Sequence, residues 1–344
     1  MKKYITSRKE AASMQRRCSM NRKILIGVAL TIVVLGVALG VGLGLTIGRR
    51  NSDEAGPSDP SYTSSPLSPP NTTLPWTPRI NDTWQITLSQ PPLAPVDINS
   101  VTPNVTIFDV DLFDTSAETI ADFQNLGKKV ICYFSGGSFE SWRPDAGKFE
   151  AADKGKNLDG WPGEKWLNIS SERVRSIMKS RLELASGKKC NGVDPDNVDG
   201  YDNDNGLNLT QDDSIDFMQF LSSIARPLNL TLGLKNAGSI ISAVSPVVDF
   251  AVNEQCVQYN ECGVYHDFIE AGKPVFHIEY PKGSNSGVET KLVNELCGKD
   301  GGDSLSGFST VLKRMNLDGW VEYCDLEVVT TPLNATAASK SNRI

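Results

Sequence analysis

Eight short runs rich in β-branched and aromatic residues recur through the middle of the chain, and their spacing constrains the fold more than any other feature. They are Trp84–Leu88, Val105–Asp109, Lys129–Phe134, Gly192–Asp196, Thr231–Asn236, Asp249–Glu254, Pro274–Glu279 and Phe308–Leu312. Helical periodicity lies between several of them, most clearly over Ser170–Ser186, Gln211–Arg226 and Val288–Leu296. Strands that alternate with helices pair in parallel, because a parallel neighbour is reached only by a crossover connection. Eight such units in about 250 residues predict an α/β fold, the (β/α)8 TIM barrel. A doubly wound open sheet is the competing arrangement, but no GxGxxG follows an early strand to support it.

These units occupy residues 79–330, and what precedes them has a different character. Residues 24–48 are uncharged and strongly apolar. At ~1.5 Å per residue such a helix crosses a hydrocarbon core of about 30 Å with some tilt. The stretch exceeds the apolar core of a cleavable signal peptide, so it reads as a single transmembrane helix, an uncleaved signal anchor. Residues 1–50 hold ten Lys/Arg and one Glu, and eight of the basic residues come before the apolar stretch. The positive-inside rule then makes residues 1–23 a cytoplasmic basic tail. The expected location is the plasma membrane, single-pass type II, with the main domain extracellular. Gly36, Gly40, Gly44 and Gly48 form a stripe that would let two such helices approach as a homodimer. Residues 49–78 carry seven prolines among Ser, Thr and Asn and read as a disordered stalk, with residues 331–344 a flexible tail.

Two features agree with that orientation. Seven Asn-x-Ser/Thr acceptors (Asn71, Asn81, Asn104, Asn168, Asn208, Asn229 and Asn334) all follow the apolar stretch. Cys18 precedes it, while six cysteines follow. Six cysteines allow fifteen pairings. Closeness in sequence favours Cys256–Cys262, and the remaining expectation is Cys297–Cys324 and Cys132–Cys190. No CxxC spacing occurs, so neither a metal nor another cofactor is expected.

Residues 51–344 carry 24 basic against 40 acidic side chains. That balance argues against nucleic acid as a partner and would concentrate cationic ligands, although a solvated surface accounts for the same number. In barrels of this kind chemistry sits at the C-terminal strand ends. Here those ends present Asp109 and Asp111, Tyr133, Asp194 and Asp196, Lys235 and Asn236, Glu254, then His277 and Glu279. So many groups that are costly to bury suggest a polar ligand rich in hydroxyls or amines. Period-two alternation puts Asp194 and Asp196 on one face of their strand. The segment Cys190–Gly206 adds Asp199, Asp202 and Asp204, but its glycines do not fall in the EF-hand frame.

Hydrolysis of a glycosidic bond needs two carboxylates flanking it. Asp196 on the fourth strand and Glu254 on the sixth are the best pair, with Asp194 or Asp199 able to displace Asp196. Asn253 and Gln255 flank Glu254 with amides able to orient it. Tyr133, Trp142, Trp161, Trp166 and Tyr201 offer aromatic faces for sugars, and His277 reads equally as a structural histidine. With only two histidines and no GxSxG or HExxH, serine-hydrolase and zinc-peptidase chemistry fit poorly.

The strings WQITLSQP, IFDVDLFD, ICYFSGGSFESWRPD, WPGEKWLNIS, GVDPDNVDGYDNDNG, LGLKNAG, VNEQC and VFHIEY occur in this order over about residues 80–325. In them the chain resembles glycoside hydrolase family 114, the endo-α-1,4-polygalactosaminidases. The resemblance implies a (β/α)8 barrel cutting internal α-1,4 bonds in a cationic galactosamine-containing polysaccharide, such as partly deacetylated galactosaminogalactan. It also implies Asp196 as nucleophile and Glu254 as general acid/base with retention of configuration, though the roles could be exchanged. Asp109, Asp111, Asp194 and Glu279 are then candidates for holding amino groups, with Tyr133, Asp199, Lys235, Asn236 and His277 as further substrate contacts. A non-catalytic carbohydrate-binding barrel, or a different α-glycosidase or transglycosylase, would share the fold.

Overall fold

The computed structural model describes residues 73–282, 287–299 and 305–335. The expected basic tail, anchor helix, glycine stripe and most of the stalk lie outside these residues. Among the described residues no helix is long and apolar enough to cross a membrane.

All eight expected strands form: β1 Trp84–Thr87, β2 Ile107–Asp111, β3 Lys129–Ser135, β4 Gly192–Asp196, β5 Thr231–Lys235, β6 Phe250–Glu254, β7 Val275–Glu279 and β8 Phe308–Leu312. They pair in parallel in chain order, and an antiparallel hairpin, Trp320–Tyr323 with Val328–Thr330, extends the sheet to ten strands. A doubly wound sheet reverses its strand order at a switch point. No reversal occurs here, which removes that alternative.

The sheet curls, because its inner face is apolar in register. Trp84, Ile107, Ile131, Phe250, Phe276 and Val311 form one buried cluster, and the Trp84 ring lies 5.1 Å from that of Phe276. No ladder joins β8 to β1 among the described residues. Side chains bind that seam instead. The Trp84 indole N–H donates to the Ser309 carbonyl at 2.8 Å, and the Lys313 ammonium donates to Gln85 Oε1 at 2.9 Å.

The outer face is covered by amphipathic helices. Glu172–Gly187 buries Val174, Ile177, Met178, Leu182 and Ala185, the i, i+3, i+4 spacing of one helical face. It also buries Arg181, which holds Asp145 through two bonds of 2.9 Å and donates to the Ser135 carbonyl, fixing the end of β3. Gln211–Ala225 starts at a capping box between Thr210 and Asp213. A three-stranded antiparallel sheet (Ser138–Glu140, Lys154–Asn157 and Glu164–Leu167) interrupts the β3–β4 crossover and was not anticipated. The three expected disulfides form, Cys132–Cys190 tying β3 to the entry of β4 and Cys256–Cys262 closing the loop after β6.

Residues on both sides of the span 79–330 also pack against the sheet. Trp76 packs at the N-terminal ends of the strands, with the Lys129 ammonium 6.0 Å over its ring. Beyond the last strand the Pro332 carbonyl accepts from the Leu93 amide at 2.8 Å, and Asn334 donates to that of Pro91 at 2.9 Å.

Candidate active site

The C-terminal ends of the parallel strands form the floor of a cleft of about 1080 Å³. Three consecutive strands end in a residue followed by left-handed backbone: Asn197 after β4 (φ 60°), Asn236 after β5 (φ 50°) and Gln255 after β6 (φ 63°). Non-glycine residues adopt this conformation rarely and mostly where function requires it. Each sharp turn leaves the last strand side chain, Asp196, Lys235 or Glu254, at the cleft floor. After β3 the chain must lie directly on β4. The Gly136 and Gly137 amides donate to the Asp196 carbonyl at 2.8 and 2.9 Å, and a Cβ on Gly137 would meet the Asn197 carbonyl at 1.8 Å.

Lys235 is the hub of the site. Its side chain is 1% exposed, and its ammonium lies 3.4 Å from Asp196 Oδ2, 3.5 Å from Glu254 Oε2 and 4.0 Å from Asp194 Oδ2. Burial alone would lower its pKa, but these carboxylates together hold it above that of an ordinary lysine. Asp196 also accepts from the Tyr133 hydroxyl at 2.9 Å and from the Asn197 amide at 2.7 Å. Glu254 accepts from the Tyr280 hydroxyl and, at 3.1 Å, from the Asn236 side-chain amide, whose oxygen accepts the Glu254 N–H in return. Both tyrosines stay protonated donors, since burial and the adjoining carboxylate hold each well above the usual phenol range. Burial, with Asp196 alongside, pushes the Asp199 carboxyl at the cleft wall up to about 7.

Asp196, Glu254, Tyr133, Lys235, Asn236 and Asp199 therefore converge as expected on one cleft, but other candidates do not. His277 and Glu279 lie on the outer face of β7. There they bond to each other at 3.0 Å, His277 contacts Thr310, and Glu279 accepts the Val257 amide. Neither reaches the cleft. Asp109 and Asp194 are on the inner face but fully buried beneath Lys235, too deep to hold a sugar amine. Asp111 lines the cleft, but Arg143 grips both its oxygens at 2.7 and 2.9 Å. Asn236 orients Glu254, the part expected of Asn253 and Gln255; the latter bonds to Gln258 instead. Of the aromatics, Trp161 is 41% exposed at the cleft and Trp166 is buried.

Tyr280 was missed, as were Glu140 and Glu164 of the inserted sheet. With them, among the described residues nine carboxylate side chains line the cleft against two cations, Arg143 and Lys235. Cys256, Cys262 and His277 cluster closely enough to suggest a metal, but the two sulfurs are bonded to each other and offer no thiolate.

The family model for glycoside hydrolase family GH114 matches residues 65–329. Among solved structures the chain is similar to Aspergillus fumigatus Ega3 in complex with galactosamine, with 53% identity and a TM-score of 0.66 over 74% of this chain and 99% of that one. It is also similar to the glycoside hydrolase domain of PelA from Pseudomonas aeruginosa, with 11% identity and a TM-score of 0.53 over 73% and 99% of the two chains. At that identity the likeness shows the fold alone. No curated protein sequence matches the chain.

Proposed function

We propose, from the premise that this chain belongs to glycoside hydrolase family GH114, that it cleaves internal α-1,4 bonds between galactosamine units of partly deacetylated galactosaminogalactan. The observation that carries this reading is the pairing of Asp196 and Glu254 across one buried ammonium at the floor of an acidic cleft. Nine carboxylates against two cations favour an amino sugar over a neutral one. The similarity to Ega3, solved with galactosamine, supports the same choice. In this reading the curled sheet is the family's (β/α)8 barrel, closed at the β1–β8 seam by side chains.

Asp196 attacks the anomeric carbon while Glu254 gives its proton to the glycosidic oxygen. The C–O bond breaks, the leaving chain departs with a free hydroxyl, and a glycosyl–Asp196 ester remains. Water then attacks the same carbon, Glu254 takes its proton, and Asp196 is released. Lys235 serves both steps: it neutralises Asp196 before attack and Glu254 once that group has lost its proton. Because one ammonium touches both carboxylates, their near oxygens can be no farther apart than its two contacts of 3.4 and 3.5 Å together. That upper limit admits the roughly 5–5.5 Å separation of retaining enzymes and only the lowest part of the roughly 6.5–9.5 Å span of inverting ones, which is compatible with retention.

Incubating the full chain with the polymer is expected to release a ladder of oligosaccharides early in the reaction. Raising salt from 50 to 500 mM is expected to weaken binding of the deacetylated polymer more than that of its fully acetylated form. Binding without any release of oligosaccharides would refute the hydrolase reading for this polymer, and equal salt responses would refute charge recognition.

We further propose that residues 24–48 anchor the domain on the outer side of the plasma membrane through the stalk. Three disulfides fit an oxidising compartment, and none of the six described acceptor asparagines is buried. Protease added to intact cells should then release an active fragment lacking the N-terminus; a fully protected domain would contradict the orientation.

A further inference from the structure

Directly beneath the catalytic floor, Asp109 of β2 and Asp194 of β4 are both completely shielded from solvent. No N–H or O–H of another described residue reaches any of their four carboxyl oxygens. The Asp194 carboxyl is the largest charge acting on Asp109, so the two buried groups are close neighbours. Two carboxylates are acceptors only, so they can bond to each other only when one of them carries a proton. Two bare negative charges side by side in a dry interior would also carry a very large desolvation and repulsion cost. The pair therefore holds at least one proton that no substrate or solvent molecule can reach directly.

The charged and titratable groups facing the pair come from neighbouring strands. They are Lys235 on β5, 4.0 Å from Asp194, Asp196 on β4 above it, Glu254 on β6 and Tyr133 on β3, while the charge of Asp111 on β2 is matched by Arg143. We propose that Asp109 and Asp194 are positioning residues which share a proton and, through Lys235, set the pH range over which Asp196 and Glu254 work. The proposal rests on those two being the catalytic carboxylates.

The sign follows from the environment. Burial and the charge of Asp194 raise Asp109 well above the usual range, while burial, with Asp196 and Glu254 alongside and against the pull of Lys235, raises Asp194 up to about 7. Below that pH the pair is neutral, and the charge of Lys235 is divided between Asp196 and Glu254. Above it the pair becomes negative and draws on Lys235, leaving less of that charge to Asp196 and Glu254. Catalysis then persists to a higher pH than it otherwise would.

Stability follows the same linkage. A carboxyl whose folded pKa is raised gives stability that is fully present below the ordinary value of 3.8 and lost as pH rises through about 7.

The test is the double variant Asp109→Asn/Asp194→Asn, isosteric and permanently neutral, in the full chain. Its alkaline limb of kcat is expected to move down by roughly one pH unit relative to the native protein, with KM little changed. Its Tm is expected to fall less between pH 5 and 8 than the native Tm does. Superimposable pH–rate profiles would overturn the proposal.

If the native chain cleaves no polymer, the proposed function fails. The Tm comparison still decides for the pair, and equal slopes would then overturn it. If the double variant does not fold, Asp194→Asn alone gives Asp109 an amide donor and should flatten the Tm decline; an unchanged decline would overturn the proposal.

Discussion

Asp196→Asn and Glu254→Gln are each expected to lower kcat on the polymer by about three orders of magnitude or more, through different steps. An amide at 196 keeps the bonds from Tyr133 and Asn197 but cannot attack carbon, so no glycosyl ester forms. An amide at 254 keeps contact with Asn236 and Tyr280 but has no proton to give the leaving oxygen. A galactosaminide with a good leaving group needs no protonation to depart. The Glu254→Gln variant should therefore recover its first step on such a substrate, whereas Asp196→Asn should not.

Azide separates the roles further. It should take the place of water in the Glu254 variant and give a sugar azide of retained configuration, because the ester on Asp196 has already inverted the centre once. Recovery of the Asp196 variant instead, with the Glu254 variant silent, would exchange the two assignments. Full activity of either variant would move the chemistry elsewhere, and Asp199, with its carboxyl raised to about 7, is the first place to look.

Lys235→Met is expected to be the most damaging single change to the scaffold as well as to the reaction. It is close to isosteric but removes the cation shared by Asp194, Asp196 and Glu254. Breaking a buried ion pair on one side leaves uncompensated charge and typically destabilises by about 3–5 kcal/mol. Without the ammonium the carboxylates repel one another and bind protons more tightly in the folded state. The loss relative to the native protein should thus be large at pH 7.5 and smaller at pH 4.5, where protonation relieves it. Denaturant unfolding at the two pH values reads this directly. A loss independent of pH would mean that Lys235 matters for its packing and not for its charge. Lys235→Arg should not rescue, because the planar guanidinium is larger than the fully buried slot and directs its donors differently.

What could be read beforehand tracks what is local in the chain. Strand positions were legible because short runs rich in β-branched and aromatic residues are bounded by polar turns, and the positions of Asp196 and Glu254 followed from the strand ends. Period two, however, gives a face only when its parity is taken from the residues known to be inside. On β7 the inner apolar residues are Phe276 and Ile278. That parity assigns Tyr280 to the cleft and sends His277 and Glu279 outward, the reverse of reading the strand end by position.

Nor does a face give depth. Asp194 and Asp196 share one face of β4, yet one is sealed and the other meets the cleft. The pairing of Asp111 with Arg143 joins residues 32 apart through a loop without periodicity, so nothing local announced it. The inserted sheet escaped notice because one of its strands reads Lys-Gly-Lys-Asn, with no apolar alternation at all.

The packing of Trp76 under Lys129 has a mechanical consequence. The chain enters the domain at the N-terminal ends of the strands, whereas the cleft opens at their C-terminal ends. A pull applied through the leading segment is borne at the end of the sheet remote from Asp196 and Glu254, and drag from a bound polymer acts at the other. Load would run along the strands and not across the catalytic floor. A domain grafted to a bead or a surface by residues before Trp76 would present its working face to the bath.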